Sequence, residues 1–366
     1  MNLTRRKFIK LLGVSSLASL TGKIAFPQTS QPNLTEVKIA YPPTMAALPL
    51  VKGSEDNFYL EGNGESSFTK QNIDIKLIPS KGSSDAARLV GGSRADCCIT
   101  DLSSALYAIQ GTGNLKISST IFDPNEAERY YGLLRSQIYE IQSLQDLFEN
   151  WLDKSEKKSI VLSLRGDDHY STDMLLQVEG FQTEDSLHYL DQEDLILRMT
   201  GLLNGNYVSA VIPEPLLTLA LDNPEFRGYQ ASLITDYREV TLPPFVLAFG
   251  RKNIAKNPEL IQRFYAGWID AISKTNESNN YQLLGLATKI ISETLPSLKR
   301  AIDQTEFTED FADLFDVPTF SNPEKLNEEI YSSVLDWTIS KGYLENKPSF
   351  DDIFDGSSAI LADETK

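Results

Sequence analysis

From Glu36 onward, short runs of β-branched and apolar residues alternate with stretches of helical period. This alternation constrains the fold more than any other feature, because it is the pattern of an α/β architecture in which mostly parallel strands are joined by helices packed on the sheet. Val37 to Tyr41 reads as a strand stopped by Pro42-Pro43, and Ile73 to Ile78 alternates at period two until Pro79. Ser83 and Ser84 read as N-caps of a helix carrying Ala86, Ala87, Leu89 and Val90 and closed by Gly91-Gly92. Asp96 to Thr100 is a third strand, followed by a helix from about Ser103 to Ile109; Ile117 to Phe122 and Tyr130 to Leu134 are two more strands.

The grammar then restarts. Ser159 to Leu164 is a strand, Arg165 to Tyr170 a polar loop, and Ser171 the cap of a helix with Met174, Leu175, Leu176 and Val178. A strand at Leu187–Leu190, a helix over 191–203 and a strand at 207–212 follow, with Pro213 and Pro215 in the first turn of the next helix. After one apolar strand at Phe245–Gly250 the pattern is helical, with amphipathic helices opened by Pro258 and by Pro323. A chain of 366 residues exceeds what one hydrophobic core organises. The expected fold is therefore two lobes, 36–132 plus 246–366 and 133–245, each a mostly parallel sheet flanked by helices. Two crossing hinge strands, about Tyr130–Arg135 and Phe245–Gly250, join them.

The formal charge of −17 speaks against nucleic acid and anionic membrane surfaces as partners. Cys97 and Cys98 are the only cysteines, and in a strand adjacent side chains point to opposite faces, so they read as two buried thiols. His169 and His188 stand in no ligand spacing with them, so the sequence implies neither a metal nor a cofactor.

The leader, residues 1–30, carries Arg5, Arg6, Lys7, Lys10 and Lys23 and no acid. Its apolar segment, Leu11 to Leu20, is interrupted by Gly13, Ser15, Ser16 and Ser19 and falls short of the ~20 residues a spanning helix needs. The run Thr4-Arg5-Arg6-Lys7-Phe8-Ile9-Lys10 resembles a twin-arginine export signal, which implies passage of the folded chain through the twin-arginine translocase into the periplasm. Cleavage is expected between Ala18 and Gln31, and no cysteine near that point suggests a lipid anchor.

In open α/β sheets small molecules bind beyond the carboxyl ends of the strands, where loops run into helix N-termini. The loops of that kind here are Tyr41 to Thr44, Lys81 to Ser84, Thr100 to Ser103, Arg165 to Ser171 and Pro213-Glu214. Tyr41 and Tyr170 offer planar faces; Thr44, Ser83, Ser84, Thr100 and Ser171 offer hydroxyls, which also serve as helix caps. Asp101 either meets a ligand or complements a helix dipole. Arg165 either grips an anion by its fork or pairs with Asp167 or Asp168. His169 is a titratable group in a polar loop, and Glu214 lies between prolines at a hinge or lobe surface.

The order of segments resembles the type II solute-binding proteins of ABC importers, in particular the nitrate/sulfonate/taurine group with its thiamine-precursor and riboflavin binders. The resemblance is carried by Val37–Tyr41 with Leu48-Pro49-Leu50, by Ile73–Leu77 with Gly82–Asp85, and by Leu89–Asp96 with Ile99–Leu106. Val211–Pro215, Leu242–Leu247 and Lys256–Phe264 continue it. Ser54 to Lys70 is longer than the family's stretch between the first two strands. The resemblance implies a monomer that captures a small molecule, of sulfonate, nitrate, pyrimidine or flavin type, and hands it to an ABC permease. The same fold also hosts enzymes of small metabolites, for which His169 or Asp101 would be the acid or base, and sensors that present a ligand to a receptor.

Overall fold

Two five-stranded sheets carry the chain. The computed structural model describes residues 34–55, 66–152, 160–181, 189–222, 231–294, 309–315 and 317–355. The leader and most of the long stretch after Ser54 lie outside the described residues. The first sheet contains β1 (Thr35–Tyr41), β2 (Ile73–Pro79), β3 (Cys97–Asp101), β4 (Leu115–Phe122) and β10 (Phe245–Gly250) in the order β2-β1-β3-β10-β4. The second contains β5 (Tyr131–Ser136), β6 (Ile160–Leu162), β7 (Tyr189–Asp191), β8 (Ser209–Pro213) and β9 (Ala231–Asp236) in the order β7-β6-β8-β5-β9. Each sheet is parallel except for one strand: β10 runs antiparallel to β3 and β4, and β5 to β8 and β9.

That exchange of one strand per sheet explains how the halves are connected. β5 and β10, which the sequence suggested as the crossing strands, lie wholly within one sheet each. The crossings are the segments just before them, 123–130 and 237–244. Asn125 staples the two: its Nδ2 donates to the Leu242 carbonyl at 2.8 Å, and its Oδ1 accepts from the Leu242 amide at 2.8 Å. Tyr130 ends the first crossing, packed edge-on against Tyr131 with centroids 4.7 Å apart and near Phe122 and Phe245.

Helices cover the sheets. α1 (Leu48–Ser54) follows β1, α2 (Ser83–Gly91) follows β2, and α3 (Leu102–Thr112) follows β3. In the second half α4 (Asp167–Val178) follows β6, α5 (Leu195–Leu203) follows β7, and α6 (Leu216–Asp222) follows β8. The C-terminal helices α7 (Pro258–Asn276), α8 (Asn280–Thr294) and α9 (Glu328–Ser340) return to the first half: α7 packs on α1, and α9 on α3. Cys97 and Cys98 are free and buried on opposite faces of β3, one in each apolar cluster, as strand geometry requires.

Several helix starts differ from the sequence reading for one physical reason. α2 and α4 begin at extended glycines, Gly82 and Gly166, so Ser83, Ser84 and Ser171 cap nothing. At α4, Asp167 and Asp168 take the first turn, where carboxylates complement the dipole. The 191–203 helix starts only at Leu195, behind the side-chain cap of Asp194. α9 starts behind Asn327, five residues after the region of Pro323. Pro213 closes β8, and α6 begins after Pro215. Among the described residues no helix is long and apolar enough to cross a membrane.

Candidate functional site

The strand orders place one switch point in each sheet: between β1 and β3 in the first, and between β6 and β8 in the second. The loops leaving the carboxyl ends of these strands meet. The N-terminus of α3 is the centre of that meeting, and its first three N–H groups are all taken by carboxylates. Asp101 caps its own helix by accepting from the Ser104 amide at 2.7 Å. Asp167, from the other half of the molecule, accepts from Leu102 at 3.1 Å and from Ser103 at 2.9 Å. Asp167 therefore sits where an external anion would dock on the helix dipole.

Around this contact is a layer of buried hydroxyls. The side-chain oxygens of Thr44, Ser103, Tyr130 and Ser171 are buried; Tyr130 bonds Thr44 and Ser103 bonds Asp167, while Ser171 has no partner among the described residues. The Tyr130 hydroxyl neighbours Thr44 and feels the charges of Asp101, Glu214 and Asp167, which fixes it at the same focus. Glu214 is itself held by α6, accepting from the Thr218 amide at 3.1 Å and the Thr218 hydroxyl at 2.8 Å. Burial, followed by the charge of Asp167, pushes the Asp101 carboxyl well above the usual carboxylate range. Burial likewise pushes Asp167 up to about 6, against the hydrogen bonds from Ser103 and Leu102.

The remaining residues singled out in the sequence divide into rim and scaffold. Thr100 donates its hydroxyl to the Ser83 carbonyl at 3.0 Å, and the hydroxyls of Ser84 and Ser104 are 3.0 Å apart, so these residues tie α2 to α3. Tyr41 donates to Glu293 of α8 at 2.6 Å. Arg165 pairs with neither Asp167 nor Asp168. It donates to the Tyr107 hydroxyl at 2.9 Å, with its guanidinium over the rings of Tyr107 and Tyr343. Its backbone is left-handed, with φ of 74°, an uncommon conformation for a side-chain-bearing residue. Asp168 is paired instead with Arg198 of α5, Nη1 to Oδ2 at 2.6 Å, a fully buried guanidinium that also donates to the carbonyls of Gln192 and Val211.

His169 and Tyr170 belong to the helix, not to a loop, and both face α9. The His169 ring lies edge-on to Tyr189 and Trp337, with centroids 4.6 and 5.1 Å away. Burial lowers its pKa, so the ring is neutral near pH 7. Tyr170 shares a hydrogen bond with Ser333 of α9 at 2.9 Å. One helical turn on, the buried carboxylate of Asp173 accepts from Trp337 Nε1 and from Tyr189, each at 2.8 Å, and pairs with Lys341 at 2.8 Å. A second bridge spans the halves at Arg88, whose Nη2 donates to both carboxylate oxygens of Glu193, at 2.9 and 2.7 Å. Beside it the Leu195 amide donates to the Lys81 carbonyl at 3.1 Å.

Asp167, Ser103 and Tyr130 escaped the sequence reading as site residues. The signal for Asp167 was present in Gly166-Asp167-Asp168, a glycine before paired acids at a helix start. Nothing in the sequence tells which of the two acids turns inward to Arg198 and which reaches across. Tyr130 read as strand and Ser103 as helix, so the position of each relative to the other half was invisible.

No family model matches the chain, and no curated protein matches it in sequence. Solved structures do. The alkanesulfonate-binding protein SsuA of Xanthomonas axonopodis pv. citri, bound to MOPS, superposes with a TM-score of 0.65 at 12% identity, over 87% of this chain and 98% of that one. The periplasmic nitrate-binding protein NrtA of Synechocystis PCC 6803 gives 0.65 at 12% identity, over 91% and 89%. The ligand-binding component of an ABC-type import system from Staphylococcus aureus, with zinc bound, gives 0.63 at 12% identity, over 90% and 99%. The chain has the periplasmic-binding-protein fold. In this fold the two sheets are two lobes, and the cluster around Asp101 and Asp167 lies at their junction.

Proposed function

We propose that this chain is the extracytoplasmic solute-binding component of an ABC importer. It captures a small molecule between its lobes and delivers it to a membrane permease. The observation that carries this reading is the buried polar focus at which the lobes meet. Asp167 accepts two α3 amides across the junction beside Asp101, Glu214 and the bonded hydroxyls of Thr44 and Tyr130, while the buried Ser171 hydroxyl has no hydrogen-bond partner among the described residues. Buried polar groups are costly unless something completes their hydrogen bonds, and a ligand clamped by both lobes would do so only when they close. His169, wedged between aromatic rings and neutral, is better suited to packing than to proton transfer. We take the lobes as 36–132 plus 246–366 and 133–245, the protein as a monomer, and residues 1–30 as a twin-arginine signal that sends it folded to the periplasm.

The test is native mass spectrometry of protein recovered from the periplasm, followed by small-angle scattering before and after removal of any bound solute by partial unfolding. A bound small molecule, and a change of radius on its removal and return, is the expected result. Protein that carries no solute and does not change shape with any compound of a broad metabolite panel would refute the proposal. Replacing Arg5 and Arg6 by Lys should trap the chain in the cytoplasm if the export reading is right.

A further inference from the structure

The C-terminal segment is anchored on the first lobe. Ile117 and Thr120 of β4 bridge to Phe354 and Glu324, and α9, which lies between those two points in the chain, packs on α3. From that anchorage α9 receives α4 of the second lobe. Among the described residues, Tyr170 is the only buried side chain of the second lobe in the apolar cluster that includes Leu102, Leu106, Val334, Leu335 and Trp337 of the first. Its ring stands edge-on to Trp337, with centroids 5.5 Å apart, and its hydroxyl lies 2.9 Å from that of Ser333. One helical turn on, the fully buried Asp173 carboxylate is held by Trp337 Nε1 and by Lys341 Nζ, each at 2.8 Å.

These contacts are made by the chain alone, so they favour closure to the same extent with or without a solute between the lobes. Parting the lobes would draw the Tyr170 ring out of an apolar socket and break bonds to a buried carboxylate, where the low local dielectric makes each bond strong. The Arg88–Glu193 bridge also spans the halves, but the Arg88 side chain is 60% exposed, and a pair so open to water holds weakly. We propose that α9 is a catch for α4: the Tyr170 ring seated against Trp337, and Asp173 bonded to Trp337 and Lys341, latch the lobes shut without help from a solute. Entry and exit then wait for the latch to release, and a solute that enters only the open form associates at a rate reduced by the open fraction. The inference rests on the solute-binding reading above, and adds to it that closure is a property of the chain.

The experiment is single-molecule energy transfer between dyes at Gln110→Cys and Gln177→Cys, exposed positions on α3 and α4, in purified protein freed of bound solute. Four proteins are compared: the labelled parent, Tyr170→Ala, Lys341→Met and Ser332→Ala, the last an exposed position on α9. The parent should dwell mainly in one high-transfer state with brief excursions to a lower one. Tyr170→Ala empties the socket and should raise the open fraction by more than about tenfold. Lys341→Met touches no core packing, so it reads the latch even where Tyr170→Ala fails to fold, and should raise the open fraction by about threefold. Ser332→Ala should match the parent. A parent that spends most of its time in the low-transfer state would overturn the latch while leaving the solute-binding reading intact. So would a parent that exchanges between two states with dwell times that neither latch variant alters. A parent and folded latch variants all fixed at one transfer value would overturn the inference and count against the solute-binding reading as well, because lobes that never part admit no solute.

Discussion

Replacing Trp337 by Phe tests whether the C-terminal helix holds the lobes together. Trp337 belongs to α9, which packs on the first lobe, and its Nε1 donates at 2.8 Å to Asp173 on α4 of the second. Asp173 is fully buried, and Phe would remove only the donor. The ring would still pack against His169, Tyr170 and Tyr343, with centroids now 5.1, 5.5 and 5.9 Å away. Asp173 would keep Tyr189 and Lys341. A hydrogen bond to a charged acceptor contributes about 1.5–3 kcal/mol. This one joins the two lobes, so under the proposed solute-binding reading its loss falls on an open–closed equilibrium, which should move toward the open form by between about tenfold and a hundredfold. Spin labels at Arg94→Cys and Asn204→Cys, exposed positions on the two lobes, would report the change by pulsed electron–electron double resonance, since Cys97 and Cys98 are buried. A longer, broader distance distribution in the unliganded variant is expected. A distribution identical to that of the parent, with only the denaturation midpoint lowered, would show that the bond stabilises the fold and not the closed state.

Three further outcomes are expected. Arg198→Met leaves the Asp168 carboxylate buried and uncompensated, and should cost about 3–5 kcal/mol in urea unfolding; a loss within error of zero would show that Asp168 finds solvent. For the Asp101 and Asp167 pair, folded-state pKa values raised above the ordinary carboxylate value mean that the native protein holds protons more tightly than the unfolded chain. The contribution of Asp167 is therefore complete below about pH 4 and is lost as pH rises through about 6, and that of Asp101 is lost in the same direction as pH rises. Asp101→Asn, which preserves the cap, should gain melting temperature relative to wild type as pH rises above the ordinary carboxylate range, and parallel pH profiles would contradict the assignment. At Gly82 an added Cβ would lie 2.6 Å from the Glu193 carbonyl of the opposite lobe. Gly82→Ala should thus widen the molecule in small-angle scattering and weaken the Arg88 bridge; unchanged scattering would mean that the contact yields without opening.

The alternation of strand and helix, its restart after Leu134 and the single apolar strand at 245–250 were all legible in the sequence. Each is a local matter of side-chain period and of proline and glycine stops. The two-faced pair Cys97 and Cys98 was legible for the same reason, because a strand sends neighbouring side chains to opposite sides. Helix starts were read less well. Serines look like caps wherever they precede an apolar stretch, yet α2 and α4 start at glycine, where Gly82 and Gly166 extend and the residues behind them already lie in the helix.

The sequence by itself thus determined the class of fold and the set of loops from which a site could be drawn. Tertiary structure decided which side chains of those loops meet. Asp167 and Asp168 are adjacent acids of the same chemistry, but the turn of α4 sends one to Arg198 in its own lobe and the other to the α3 N-terminus across the junction. His169 and Tyr170, polar-loop residues by composition, turn out to pack against α9, some 160 residues further along. Periodicity records only how a residue faces relative to its neighbours in the chain. Contacts between lobes depend on where two independently folded surfaces come together, which no local pattern encodes.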